Sequence, residues 1–126
     1  MNPILALVGR VLLAMIFLAS AFGKITNFDE TTRFMAAHSI PWTSFFCVAA
    51  IAIEILGGVS LVLGFYVKHG ATALLVYLAP VTLIFDLGAG AEQRIQLLKN
   101  LAIAGGLLEI AAFGPGPLSL DQKPVP

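Results

Sequence analysis

The chain has 126 residues, of which 59% are hydrophobic and 11% charged, with a mean hydropathy of +0.96. Soluble domains average about 25% charged and 45–50% apolar residues, so a water-soluble globule is excluded. Seven basic and seven acidic residues cancel, and nothing in that balance points to nucleic acid.

A membrane-spanning helix needs about 20 mostly apolar residues. The first such run is Pro3–Phe22. Its "VLLAMIFLASA" after Arg10 also has the form of a signal-peptide core ending in an A-x-A site at Ala19–Ala21; it is read here as the first transmembrane helix. The run closes at "AFGKITNF", where Gly23 permits a break and Lys24 can reach the lipid headgroups. The next stretch, "ITNFDETTRFMAAHSIPW", carries Phe28, Phe34 and Met35, enough to lie as an amphipathic piece along one membrane face. Pro41 bars a helix from running through it, and Trp42 suits the interface.

The second run, Trp42–Phe65, turns through the short "GFYVKHG" into the third, Gly70–Leu87, and the Gly-rich "DLGAGAEQR" leads to the fourth, Ile95–Phe113. Connections this short make successive helices antiparallel neighbours. Small residues four apart, Ser60/Gly64 and Ala102/Gly106, allow close helix contact. The expected fold is therefore all-α, an integral membrane four-helix bundle. Residues 1–121 form a single transmembrane domain, and residues 122–126 a flexible tail.

Cys47 is the only cysteine, which excludes an internal disulfide and a Cys-x-x-Cys pair. His38 and His69 are separated and give no metal set, so no metal is expected. No flavin, haem or iron–sulfur motif is present.

The informative residues are ionisable groups inside the apolar runs, because a charge in the bilayer is a functional-site hypothesis by default. Heights follow from a rise of about 1.5 Å per residue, measured from the face on which the first helix begins, the near face. Arg10 then lies about 10 Å up, Glu54 about 16 Å, Tyr77 about 10 Å and Glu109 about 6 Å. Arg10 is the natural partner of Glu54 on this count. Together they are the candidate catalytic residues, Arg10 orienting a polar head and Glu54 handling a proton. Tyr77 adds a donor at their level. A second layer near the far face holds Lys24, Asp86, Lys99 and Asn100, with His38 above them. Lys24 is expected beside Asp86 or Asn100, and Lys24, Asp86, Asn100 and Tyr77 are the candidate ligand-binding residues. The competing reading is that Arg10–Glu54 is a buried ion pair that only pins helix register. Against it, replacing a buried pair by apolar residues is often neutral or stabilising, so a retained pair suggests a polar ligand.

"GRVLLAMIFLASAFGKI", "EILGGVSLVLG", "LLKNLAIAGGLLEI" and the closing "GPGPLSLD", in this order along residues 5 to 121, resemble the DoxX family of small bacterial membrane proteins. That family is related to the DoxD subunit of thiosulfate:quinone oxidoreductase. The resemblance implies a four-helix bundle in the bacterial inner membrane and a link to quinone-coupled or thiol/sulfur redox metabolism, often beside a soluble partner. Arg10, Lys24, Glu54 and Asn100 fall in its motif positions.

Two functions follow. The first is a membrane subunit of a quinone-linked oxidoreductase, with quinone as the candidate cofactor and electrons supplied by a soluble redox partner. The second is a non-catalytic anchor or assembly partner for such an enzyme, or a small-solute carrier, which at four helices would require a homo-oligomer. Lipid is the surrounding partner in both. Orientation rests on loop charges: with Lys24, Arg33, Arg94 and Lys99 all counted, the first and third loops are cytoplasmic, and without Lys24 and Lys99 the bias vanishes.

Overall fold

The computed structural model describes residues 2–85 and 90–121, folded into five helices. These are α1 (Pro3–Thr26), α2 (Phe28–Ala37), α3 (Thr43–Leu63), α4 (Val67–Phe85) and α5 (Ala91–Phe113). All but α2 are long and apolar enough to cross a membrane. Their outward faces carry large apolar side chains in the open, among them Leu56 at 72% exposure and Phe113 at 73%. Apolar surface of that extent is sustained in lipid and not in water. Asn2 starts α1 by accepting from the backbone N–H groups of Ile4 (3.0 Å) and Leu5 (3.2 Å), with Pro3 preset for the first turn.

Lys24 belongs to α1 and Lys99 to α5, so both leave the loop charge count. The stretch after α1 is helical over Phe28–Ala37 and ends before Pro41, as the proline requires. It buries Met35 and rests on α3 and α1. Phe34 and His38 at its end meet Phe85 at the end of α4, with ring centroids 5.3 and 4.7 Å away. The connection thus reaches across the far end of the bundle.

In the bundle α3 lies between α1 and α4, and α5 packs on α4. The core is Ala14 and Phe17 of α1, Leu61 of α3, Val67, Ala71, Leu74 and Leu78 of α4, and Leu107 of α5. Close contact between α3 and α4 depends on glycine. A Cβ on Gly57 would stand 2.5 Å from Cγ of Leu74, itself fully buried. Gly57→Ala should therefore force a repacking that costs about 1–3 kcal/mol, read as a lower midpoint in denaturant-induced unfolding in detergent micelles. An unchanged midpoint would show that the α3–α4 seam has slack.

Gly64 is used differently from the helix-packing role its spacing suggests. It ends α3 in the left-handed region, at φ 68°, where glycine carries no Cβ penalty. Its bare backbone also lets Ser119 and the Arg10 guanidinium close in on it. The chain after α5 comes back over this corner: Leu120 N–H donates to Leu63 O (3.1 Å) and Asp121 N–H to Gly64 O (2.8 Å). The Asp121 carboxylate then accepts from the backbone N–H groups of Tyr66 (2.7 Å) and Val67 (2.8 Å), capping α4 from 54 residues away. Residues 114–121 are thus a strap across the near ends of α3 and α4.

Candidate functional site

The buried polar side chains among the described residues are Arg10, Glu54 and Asn100, each at 5% exposure or less. The structure does not join Arg10 to Glu54. Arg10 donates from Nη1 to Leu61 O (2.8 Å) and Val62 O (3.4 Å), and from Nη2 to Leu118 O of the strap. Its charge faces Asp121. Leu61 lies seven residues beyond Glu54 on α3, so about 10 Å of helix separates the two charges along the axis. The expectation failed because it set the near ends of α1 and α3 at one height. In the structure α1 begins lower, and Arg10 stands level with the last turn of α3, where unpaired carbonyls await a donor.

Glu54 pairs instead with Lys24, whose Nζ lies 2.8 Å from Oε1. Lys24 sits near the far end of α1, but helical side chains lean back toward the N-terminus. Its ammonium therefore travels one turn down the helix, donates to Ser20 Oγ (2.6 Å) and meets the carboxylate. The Tyr77 hydroxyl of α4 completes the group, close enough to the Glu54 carboxylate to feel its charge. Cys47, two turns from Glu54 on the same helix and fully buried, feels the charges of both Lys24 and Glu54. Three helices thus contribute an ammonium, a carboxylate and a phenol to one point in an apolar interior. The pair is graded in exposure: the Lys24 side chain is 21% exposed, the Glu54 side chain 3%.

The far layer is not the cluster the sequence suggested. Lys24 has turned inward, and Asn100 donates to Thr82 Oγ1 (3.1 Å) while accepting from Gln96 (3.3 Å), which ties α5 to α4. Asp86 lies outside the described residues. Sequence reasoning missed Ser20 and Asp121. A serine four residues before a lysine on one helix face is a readable signal, whereas a cap supplied from 54 residues away is not. No group of three or more His, Cys, Asp or Glu side chains able to hold a metal occurs among the described residues.

A family model described as DoxX matches residues 5–87. The inner membrane protein YphA of Escherichia coli K12 is 31% identical over 128 residues, covering 97% of this chain and 91% of the relative. Inner membrane protein YqjF of the same organism is 31% identical over 117 residues, covering 92% and 88%. No solved structure gives a significant match.

Proposed function

The chain belongs to the DoxX family and is a four-span protein of the inner membrane, and on that premise we propose that it is the membrane subunit of a quinone-linked oxidoreductase system. The observation that supports this most is the Lys24–Glu54–Tyr77 group, a neutral couple and a phenol held by three helices where apolar side chains would pack more cheaply. Its chemistry suits a quinone head. Lys24 and Tyr77 carry N–H and O–H donors of the kind carbonyl oxygens accept, and Glu54 is a carboxylate that can hold a proton beside them. Lys24 and Tyr77 are both partly exposed, while the carboxylate stays withdrawn from the membrane.

When bound, a quinone supplies an acceptor for two electrons and two protons. The chain's own part is to orient the head through Lys24 and Tyr77, to keep water away with the surrounding core, and to hold a proton on Glu54. Cys47 is a single thiol and cannot cycle as a dithiol, so the electrons come from a separate reductant, a soluble thiol- or sulfur-oxidising partner. Arg10 takes no part in this reading. Its guanidinium bonds to backbone carbonyls of α3 and the strap.

The test is to purify the full chain in mild detergent, extract it with organic solvent and quantify quinone per chain. The wild type should retain quinone, and Glu54→Gln, which keeps volume but exchanges no proton at neutral pH, should lose most of it. A wild type free of quinone, with a soluble enzyme leaving the membrane when the chain is deleted, would establish the anchor reading instead.

A further inference from the structure

A groove of about 780 Å³ runs between α1 and α5 at the near face, apart from the Lys24–Glu54–Tyr77 group and independent of its function. Its walls are mostly apolar, with Leu5 on α1 and Ile103 and Ile110 on α5, and it is open along its length toward the membrane. Two charged residues interrupt it, Arg10 from α1 and Glu109 from α5.

The two stand at one level. Gly106 packs against Leu13, where a Cβ would lie 3.4 Å from Leu13 Cδ2. The helices are antiparallel, so three residues toward the near end on each leads to Arg10 on one wall and Glu109 on the other. They make no ion pair with each other. Arg10 is 2% exposed, and its Nε–H has no acceptor although both other nitrogens are bonded. Glu109 is exposed within the span of α5, about 6 Å from its end, and has no ion pair or hydrogen bond among the described residues. A carboxylate that faces lipid without a partner is rare in membrane helices. The groove thus has a buried guanidinium behind one wall, its Nε–H unbonded and closed off from the surface, and an exposed unmet acceptor on the other, above an apolar slot.

We propose that this groove binds an ethanolamine phospholipid, its phosphate oxygens toward Arg10, its ammonium on Glu109 and an acyl chain along the apolar walls. One zwitterionic headgroup matches both charges, a phosphate on the side of the guanidinium and an ammonium donor for the unmet carboxylate. An anionic headgroup would meet the Glu109 carboxylate, and a choline headgroup has no N–H to donate to it.

The experiment is native mass spectrometry of the delipidated full chain, titrated separately with palmitoyl-oleoyl phosphatidylethanolamine, phosphatidylcholine and phosphatidylglycerol. One charge-assisted hydrogen bond corresponds to about a tenfold preference, which the wild type should show for the ethanolamine lipid over both others. Glu109→Gln, at an exposed position that leaves the bundle intact, should reduce that preference to about unity, and Glu109→Lys should turn it toward phosphatidylglycerol. Equal affinities for the three lipids in the wild type would overturn the proposal. So would a preference unchanged by Glu109→Gln, or a lipid-independent dimer whose contact covers the groove.

Discussion

Lys24→Met alone should cost about 3–5 kcal/mol of stability, because it leaves the Glu54 carboxylate charged and unpaired among apolar side chains. Lys24→Met combined with Glu54→Leu should recover most of that loss, since two well-packed apolar residues commonly replace a buried pair without penalty. The measurement is a double-substitution cycle read by denaturant-induced unfolding in micelles, with a coupling energy well outside the few tenths of a kcal/mol expected of independent sites. A single Lys24→Met variant as stable as the wild type would mean that the ammonium spends its time among the headgroups and not on Glu54. The double variant also separates stability from function: it should fold and carry no quinone.

The second large effect belongs to the near end. Arg10 holds carbonyls of α3 and of the strap with a charged group, and each such hydrogen bond contributes about 1.5–3 kcal/mol. Arg10→Met should destabilise by at least that amount. It should also raise amide hydrogen exchange at Leu120 and Asp121, whose N–H groups are bonded to Leu63 and Gly64. Asp121→Ala removes the cap on α4 and should cost about 0.5–2 kcal/mol. Arg10 and Asp121 secure the same strap, so the double variant should lose less than the two single losses combined. Strict additivity would show that the strap is held by its backbone bonds alone. Quinone retention in Arg10→Met, once the protein is folded, distinguishes this structural role from the ligand-orienting one its place in the sequence suggested.

The spans were readable because the signal is cumulative: four runs of apolar residues broken by Gly and Pro leave no other arrangement in a bilayer. The ends shifted by a few residues, as with α1 continuing past Phe22 to Thr26. That Glu54 has a cationic partner inside the bundle was also legible, since a lone carboxylate at that depth is costly. Which cation it takes was not. Depth counted from helix ends assumes aligned ends, and the error is about one turn because α1 overhangs α3 at the near face. Two further facts decided the pairing. A helical lysine side chain leans back toward the N-terminus, so Lys24 could reach inward as well as outward. Arg10 had a competing set of acceptors in the last turn of α3 and in the strap, and the strap's position is a long-range matter of Gly64, Ser119 and Asp121. The same distance in sequence hid that Arg10 and Glu109 line one groove between α1 and α5, which appears only once Leu13 is seen against Gly106.

Charge reversal tests the central claim most directly, that Lys24–Glu54 is kept for a ligand and not for register. Lys24→Glu with Glu54→Lys preserves a neutral couple, the combined side-chain reach and the contact between α1 and α3, but withdraws the ammonium to the depth of the former carboxylate. The variant and the wild type would be purified in parallel, checked for cooperative unfolding and assayed for extracted quinone per chain. A reversed pair that unfolds near the wild-type midpoint and carries only background quinone is the predicted result. A reversed pair that folds and retains the full wild-type quinone content would contradict the account, leaving Lys24–Glu54 as a pin between two helices.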